Sequence, residues 1–318
     1  MRAAGIRDFN AAVELLDLQE PRELRADEVL IEVHGCGVGN WDDIARAGGW
    51  DLGPQPPMAL GVEAAGVVTA VGTGVDSPAL GDRVMTHSLP LRAQGAWAER
   101  FVSAAADVAV IPQSVPLDVA AAAPVPVLTA DQALDDALGT TSGATLLVHG
   151  ASGVTGMVIV QLATYLGANV IATASQRSAG RVSSAGAAHV LDYRSPDWPG
   201  QVRALTGGLG ADLAVNAAPG AAAIAITAVR DGGRLATLTS DPPARERGID
   251  IRQVYVAPDG PRLVRLAGLL ATGTIAVVVG GRYSLPDAAA ALERVLRGTG
   301  GEAVILEPGA AQPQAASW

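Results

Sequence analysis

The sequence predicts an α/β protein with two domains, one built on a doubly wound parallel sheet and the other a compact, barrel-like β domain. Residues 29–34, 64–71, 83–86 and 98–102 read as short strands between clusters of Gly and Pro. From about residue 117 onward, apolar strands alternate with helical patterns, which is the order of a parallel sheet. With 318 residues, 49% of them hydrophobic, the chain can bury two cores.

The parallel sheet is predicted from buried apolar runs. Its expected strands are residues 145–148, 169–173, 212–217 and 234–238. Residues 157–166 and 221–229 carry the helical patterns between them. Strands joined by helices in this way run parallel.

The last part of the chain returns to shorter elements. A helix at residues 262–271, a strand at 275–279, a helix at 286–297 and a strand at 303–306 are expected. The final residues, GAAQPQAASW, have a low-complexity composition and are expected to be disordered. The predicted domains are therefore residues 1–117, residues 118–255, and a return to the first domain with the tail at residues 256–318.

A glycine-containing turn joins the first two strands of the parallel sheet. Ala151, Gly153 and Gly156 form an A-x-G-x-x-G pattern between a predicted strand and a predicted helix. The middle glycine would let the backbone approach a pyrophosphate, and the last would let the helix pack on the strand. The phosphates would meet the free N–H groups at the helix start. The sequence therefore predicts a dinucleotide-binding unit.

The residues after the second strand indicate which dinucleotide is bound. An NAD site usually has Asp or Glu there, but this chain reads ATASQRS at residues 172–178. Ser175 and Arg177, with Arg181 nearby, are suited to a 2′-phosphate, because Arg presents a planar fork to phosphate oxygens. The alternative is that Arg177 and Arg181 are solvated helix residues. NADPH is the expected cofactor.

Charge and composition exclude several classes of function. The formal net charge of −10 disfavours a nucleic-acid surface. There is no pattern of a signal peptide or of a membrane span, so a cytoplasmic protein is expected. Cys36 is the sole cysteine, which excludes an internal disulfide. All 22 basic residues are Arg, so mechanisms that need a lysine are excluded.

Six ordered segments carry a resemblance to a known family. They are GVEAAGVVTAVGTGVDSPALGDRV (61–84), GAWAERFV (95–102), VLTADQAL (127–134), LLVHGASGVTG (146–156), AGAAHVLDYR (185–194) and DGGRLATL (231–238). The chain resembles the medium-chain dehydrogenase/reductase superfamily, in the zinc-independent quinone oxidoreductase (zeta-crystallin-like) branch. The resemblance implies a GroES-like β-barrel catalytic domain, a central Rossmann domain that binds NADP, and an active site in the cleft between them. It also implies a homodimer formed through the Rossmann sheet edge, for which residues 249–256 are the candidate.

The same resemblance bears on a catalytic metal. In the alcohol dehydrogenase branch, a cysteine stands three residues before the Asp that corresponds to Asp42, and a histidine precedes the Glu that corresponds to Glu63. Those positions hold Gly39 and Val62 here. Cys36 stands three residues too early and has no His or second Cys nearby. No metal is expected, and without a Lewis acid simple alcohol oxidation is disfavoured.

The resemblance implies roles for the cofactor-binding residues. Thr129 would touch the nicotinamide, and the backbone around Leu238 and Thr239 would hold its carboxamide. Tyr193 would join Ser175 and Arg177 at the adenosine phosphate. The residues that would line the pyrophosphate are Ser152, Gly153 and Val154. The family's usual G-G-V-G turn is G-V-T-G here, so a β-branched residue stands beside the phosphates.

The predicted catalytic residues lie in the first domain. Asn40 would lie near the nicotinamide and the substrate carbonyl. Asp42, His87 and Tyr283 are candidate proton donors, with water as a further source, and Asp42 is equally suited to a structural hydrogen bond. As alternatives, Asn40 and Thr129 could be helix caps and Tyr193 could close a strand.

Substrate-binding residues are suggested only by aromatic content. Trp41 and Trp50, together with Trp97, could form a flat pocket wall or could be core residues. The expected activity is hydride transfer from NADPH to a quinone, an enone or an enoyl-type acceptor, with secondary metabolism as one setting. The alternative is a protein that binds NADPH without redox activity, in a structural or regulatory role.

Overall fold

The computed structural model describes residues 1–309. The tail predicted to be disordered lies, apart from Gly309, outside the described residues. The chain divides into two compact units. We call Pro126–Val256 with Thr272–Ala276 the central unit, and Met1–Val125, Ala257–Ala271 and the described residues from Val277 onward the flanking unit.

Eight strands form in the first part of the flanking unit, and their pairings with one another are antiparallel. They are β1 (Arg2–Ile6), β2 (Glu14–Asp17), β3 (Glu28–Val38), β4 (Met58–Ala59), β5 (Glu63–Val71), β6 (Arg83–His87), β7 (Arg100–Ala104) and β8 (Val108–Val110). β1 pairs with β2 and β4 in a small sheet. β3 pairs with β5 and β7, β5 with β6, and β6 with β8. The alternation of buried Val29, Ile31 and Val33 along β3 is typical of a strand with one face in a core.

Two short helices accompany these strands, α1 (Asn40–Arg46) and α2 (Leu117–Ala121). α2 packs on β3, where a Cβ atom at Gly35 would lie 2.8 Å from the Cβ of Ala121. This close contact places α2 in the flanking unit. The first boundary between the units therefore follows Val125, and differs from the expected boundary after residue 117.

The central unit is built on a six-stranded parallel sheet. Its strands are β9 (Thr145–His149), β10 (Asn169–Ala174), β11 (His189–Asp192), β12 (Ala211–Asn216), β13 (Val229–Thr237) and β14 (Asp250–Gln253). Their order in the sheet is β11-β10-β9-β12-β13-β14. The order reverses between β9 and β12, and doubly wound sheets bind ligands at the carboxyl ends of the strands at such a point.

Helices of the central unit are α3 (Pro124–Gln132, which begins at the boundary), α4 (Val154–Tyr165), α5 (Gln176–Ser184), α6 (Trp198–Leu205) and α7 (Ala222–Ala225). A core cluster joins strand residues Leu147 and Leu235 to Trp198 and Val202 of α6. The apolar strands are thus covered by helices, as the doubly wound fold requires.

The chain then returns to the flanking unit with α8 (Gly260–Ala271), β15 (Val279–Tyr283), α9 (Ala288–Arg297) and β16 (Ala303–Leu306). β16 pairs with β15 in parallel and with β3 antiparallel, completing a seven-stranded sheet. Within residues 1–309 the longest helices have 12 residues, and none is long and apolar enough to cross a membrane.

Two predicted elements differ from the structure. The strand expected at residues 275–279 begins only at Val279, because Ala276 bonds a side chain instead of a strand: its N–H donates to Gln161 Oε1 at 2.8 Å. The helix expected at residues 221–229 is α7 followed by a 3₁₀ turn to Ala228. It ends there because Val229 already pairs with Ala211 in the sheet.

Candidate cofactor and active site

The glycine turn between β9 and α4 has the geometry of a close-packed phosphate-type loop. Gly150, the residue before the A-x-G-x-x-G pattern, adopts a φ of +85° and makes the sharp turn after β9. A Cβ atom at Gly156 would lie 2.3 Å from the carbonyl oxygen of Gly150, so only glycine lets α4 approach the turn. At Gly153 the nearest atom would be 3.7 Å away. The backbone is therefore tightly packed at Gly156 and uncrowded at Gly153.

Three predicted pyrophosphate residues, Ser152, Gly153 and Val154, lie at the start of α4, with Gly153 as its N-cap. The first N–H groups of a helix have no intrahelical partner and attract anions. Arg181 of α5 donates from Nη2 to the carbonyl oxygen of Ser152 at 3.1 Å. Arg181 is therefore a contact of the turn, and not only a solvated helix residue.

The carboxyl ends of β10 and β11 bring Ser175, Arg177 and Tyr193 to one edge of the sheet. Ala174 and Asp192 are register partners, so both strands end together. Ser175 is the N-cap of α5, and its hydroxyl lies 3.3 Å from that of Ser178. Arg177 is exposed and makes no hydrogen bond or ion pair with any residue of the described part of the chain. Tyr193 directly follows β11, with the guanidinium of Arg194 5.1 Å from its ring centroid.

His149 ends β9 in a buried stack. Its ring lies 4.7 Å from that of Trp198, at an interplanar angle of 13°, and its Nδ1 is 2.7 Å from the hydroxyl of Thr173. Burial lowers the pKa of His149 to about 4. The side chain is therefore neutral at pH 7 and fixes the end of β9 beneath the glycine turn.

Leu238 and Thr239 follow the end of β13, where a polar cluster forms that the sequence does not predict. The Leu238 N–H donates to the carbonyl oxygen of Asn216, at the end of β12, at 3.0 Å. Asp241 accepts hydrogen bonds from Thr237 and Thr239. Burial would raise the pKa of Asp241, but the hydrogen bonds from the two threonines and from backbone N–H groups outweigh it, and the pKa lies below its ordinary value.

Thr129 lies in the interior of α3 and is 8% exposed. It is therefore not the helix cap that was the alternative for this residue. In the flanking unit, Asn40 is exposed at the first position of α1, and Gly39 is the N-cap.

Asp42, the third residue of α1, carries a buried carboxyl group. It is 1% exposed, and its Oδ2 accepts the Gly39 N–H at 2.8 Å, so Asp42 does make the structural hydrogen bond that was one of its two expected roles. Burial raises the pKa of Asp42 to about 8, against the opposing effect of the Gly39 and Gly61 N–H groups. Asp42 is therefore largely protonated at pH 7.

Glu63, at the start of β5, is a second buried acid. It is 2% exposed, and its Oε2 accepts the Val125 N–H at 2.7 Å. Burial raises the pKa of Glu63 to about 8, and the Asp42 charge adds to the effect. Cys36 of β3 is fully buried, and burial, with the charges of Asp42 and Glu63, raises the pKa of its thiol. Sequence reasoning used Glu63 only as a family marker, because burial of its side chain has no sequence signature.

The other two proton-donor candidates, His87 and Tyr283, have different surroundings from Asp42. His87 of β6 is the register partner of Glu63, but its Nδ1 lies 3.1 Å from the Val62 carbonyl oxygen. Tyr283 ends β15, three strand spacings from β5 in the sheet order, which corresponds to ~14 Å.

The tryptophans of the flanking unit have three different environments. The ring of Trp41 covers Gly39, where a Cβ atom would lie 2.2 Å from it. Trp50 lines a groove of about 210 Å³ together with Phe9, Leu52 and Met58. Trp97 is 0% exposed and donates to the Gly37 carbonyl oxygen at 2.9 Å, so it is a core residue and not a pocket wall.

Two family models match the chain, one in each unit. Residues 25–113 match the alcohol dehydrogenase GroES-like domain, and residues 154–257 match the model described as zinc-binding dehydrogenase. A mycobacterial protein solved in complex with NADPH is 30% identical, with a TM-score of 0.83, over 97% of this chain and 100% of that one.

The chain belongs to the medium-chain dehydrogenase/reductase superfamily, in the quinone oxidoreductase branch.

Two curated relatives define its position in the superfamily. The quinone oxidoreductase of Homo sapiens is 27% identical over 96% of this chain and 98% of its own length. Erythronolide synthase EryA2 of Saccharopolyspora erythraea is 34% identical over 93% of this chain, which spans only 8% of the length of that synthase. The GroES-like and Rossmann-type domains expected from the sequence are thus those of this medium-chain dehydrogenase/reductase.

The metal-ligand positions of the zinc-dependent branch of this superfamily hold Gly39 and the buried Val62 here. Within residues 1–309, no group of three or more His, Cys, Asp or Glu side chains is arranged to hold a metal ion.

Proposed function

We propose that this chain is a zinc-independent, NADPH-dependent reductase that delivers hydride to the electrophilic carbon of a quinone, an enone or an enoyl-type acceptor. The bound cofactor would supply the hydride. The observation that carries the proposal is the polar edge of the central sheet, where a glycine turn is adjacent to exposed cationic and hydroxyl groups and no acidic residue follows β10.

The turn fits a dinucleotide. The backbone at Gly153 is uncrowded, since a Cβ atom there would lie 3.7 Å from its nearest neighbour, and Gly156 lets α4 pack close to the turn, so that its first N–H groups could face a phosphate. Ser152, Gly153 and Val154 would line the pyrophosphate. Val154 replaces a family glycine, but it lies at the first helical position, where any residue can offer its N–H.

Preference for NADPH rests on the ends of β10 and β11. Arg177 has no partner in the described part of the chain, so its guanidinium is available to a 2′-phosphate. Ser175 and Tyr193 add hydroxyl groups at the same edge. The NADPH complex of the mycobacterial relative supports the same choice.

In the flanking unit, we assign Asn40 to the acceptor carbonyl and Asp42 to the proton. An enone or quinone that takes up hydride leaves an oxyanion or enolate, which must gain one proton. The Asp42 carboxyl carries a proton at pH 7, because burial raises its pKa to about 8. The aromatic groove with Trp50 and Phe9 would contact the acceptor's apolar part. The name of one relative, a quinone oxidoreductase, agrees with an acceptor of this kind.

Thermal unfolding with each nicotinamide dinucleotide tests the cofactor. Preferential binding to the folded state at a hundredfold excess over Kd contributes about 2.7 kcal/mol. We expect NADPH to raise the melting temperature more than NADH does. The absence of a shift with either cofactor would refute the proposal.

Consumption of NADPH with separate panels of quinones, enones and enoyl thioesters tests the reaction. We expect turnover with at least one panel. A stabilising shift with NADPH but no turnover in any panel would favour the alternative, a binding protein without redox activity.

A further inference from the structure

A carboxylate without a cationic partner lies beyond the ends of β12 and β13 in the central unit. Its Oδ1 atom accepts hydrogen bonds from the Thr237 hydroxyl at 2.9 Å, from the Thr239 hydroxyl, and from Asn216 Nδ2 at 3.4 Å. Its Oδ2 atom accepts the Ala222 N–H at 3.3 Å. These two oxygens belong to Asp241, which lies in the loop that follows β13.

The direction of these hydrogen bonds fixes the charge of the cluster. Asn216 Nδ2 also lies 3.3 Å from the Thr237 hydroxyl and 3.0 Å from the Thr239 hydroxyl, so its two protons are shared among these two oxygens and Oδ1 of Asp241. Each hydroxyl has a single proton, which it gives to Asp241. Asp241 is therefore surrounded by donors, which stabilise its ionised form. Among the described residues no Arg or His forms an ion pair with it.

The two carboxylate oxygens of Asp241 differ in how many further hydrogen bonds they can accept. A carboxylate oxygen accepts about two hydrogen bonds. The hydroxyls of Thr237 and Thr239 already fill Oδ1, whereas Oδ2 has one long hydrogen bond, from the Ala222 N–H. The side chain is also partly exposed. Asp241 thus keeps one acceptor site and one full negative charge for a ligand.

The local backbone directs this side chain toward the strand ends. Ser240, the preceding residue, has a φ of +56°, a conformation that a non-glycine residue adopts at a cost of ~1 kcal/mol or more. Asp241 folds back onto the ends of two adjacent parallel strands, β12 and β13. β12 flanks the point where the strand order reverses, which is where doubly wound sheets bind ligands.

We propose that Asp241 binds the nicotinamide end of the cofactor, with Oδ2 accepting the carboxamide N–H and its charge stabilising the positive charge that the ring gains when hydride leaves. This inference rests on the proposed function and adds a residue to it. Thr237, Thr239 and Asn216 are positioning residues that hold the carboxylate ionised and oriented. A purely structural bridge between the loop after β13 and the start of α7 is the competing explanation.

The two explanations differ in how they treat the two redox states. A charge beside the ring favours NADP⁺ over NADPH, since only the oxidised ring is cationic. We expect Asp241→Asn, which retains the shape of the side chain, to raise the Kd of NADP⁺ about tenfold. The Kd of NADPH should rise by a smaller factor, because the reduced ring loses one hydrogen bond but no interaction between charges.

Equilibrium binding of each cofactor, by calorimetry on the whole chain, measures these constants without turnover. Asp231→Asn is the matched control, because it removes the same charge from an exposed position of β13, where Asp231 pairs with Arg247 at 3.1 Å. The ratio of the NADP⁺ Kd to the NADPH Kd in this control should equal the ratio in the wild type. Asp241→Glu, which keeps the charge, should lie closer to the wild type than Asp241→Asn does.

The outcomes are distinct. A selective loss of NADP⁺ affinity in Asp241→Asn supports the inference. Equal weakening of both cofactors, or no change in either, overturns it in favour of the structural bridge. If Asp241→Asn does not fold, the same selective loss must appear in the double variant Thr237→Val, Thr239→Val. If the wild type binds neither cofactor, the proposed function fails first.

Discussion

Asp42→Asn should reduce the loss of stability that the flanking unit undergoes as pH rises. The pKa of the Asp42 carboxyl is about 8 in the folded chain and 3.8 for the unperturbed group, and the cause is burial. Between these values the folded chain retains a proton that the unfolded chain releases. The contribution of Asp42 to the free energy of unfolding is therefore largest at low pH and decreases as the pH rises toward 8.

The magnitude follows from proton linkage. One retained proton lowers the free energy of unfolding by about 1.4 kcal/mol per pH unit. Glu63, with a pKa also raised to about 8, adds a second retained proton, and the two dissociate as a coupled pair. An amide at position 42 can still accept the Gly39 N–H and has no charge to bury. The free energy of unfolding of Asp42→Asn, relative to that of the wild type, should therefore rise by about 1.4 kcal/mol for each pH unit between pH 5 and 7.

Urea unfolding at pH 5, 6, 7 and 8 measures this difference. Asp17→Asn, at an exposed position of β2, is the control and should give a difference that does not change with pH. A constant difference between Asp42→Asn and the wild type would show that the carboxyl is ionised in the folded chain. In that case Asp42 could not be the proton donor either.

Four further predictions concern the central unit. Arg177→Gln should raise the Kd of NADPH about tenfold, the value of a charge-assisted hydrogen bond, and leave that of NADH unchanged in a fluorescence titration. Gly156→Ala should lower the free energy of unfolding by about 1–3 kcal/mol, typical of overpacking, because its Cβ would meet the Gly150 carbonyl at 2.3 Å. Gly153→Ala, with 3.7 Å of clearance, should fold normally but lose NADPH affinity; equal stability losses in the two variants would contradict this reading of the turn. β14 has a neighbour on one side only, so we expect a dimer through this edge, and light scattering that gives the mass of one 32.0 kDa chain would refute it.

The parallel strands could be predicted because they are buried on both faces. Leu146, Leu147 and Val148 are each 0% exposed, and such apolar runs are visible in a sequence. The run at residues 275–279 looks similar, and Ile275 and Val277 are indeed buried. Its hydrogen-bond partner is the side chain of Gln161, however, and a partner 115 residues away leaves no local signal.

The candidate site could be predicted where it depends on strand ends. Ser175, Arg177 and Tyr193 follow strands that are neighbours. The first two stand where an acidic residue is usual, and Tyr193 lies in a family segment. The Asp241 cluster was missed because it requires knowing that β12 and β13 end side by side and that Ser240 turns the chain back. The raised pKa values of Asp42 and Glu63 were equally hidden, since they arise from packing and not from residue type.

The burial of Cys36 has a practical consequence for watching this protein unfold. The residue is the sole thiol in the chain, and it is register partner both of Leu306 in β16 and of Ala64 in β5. A thiol reagent can reach it only when β3 separates from these neighbours, one of which lies 270 residues further along the chain. The rate at which the native protein is labelled would thus report how often β3 separates from β16 and β5. No engineered probe is needed, and the central unit contributes no signal because it contains no thiol.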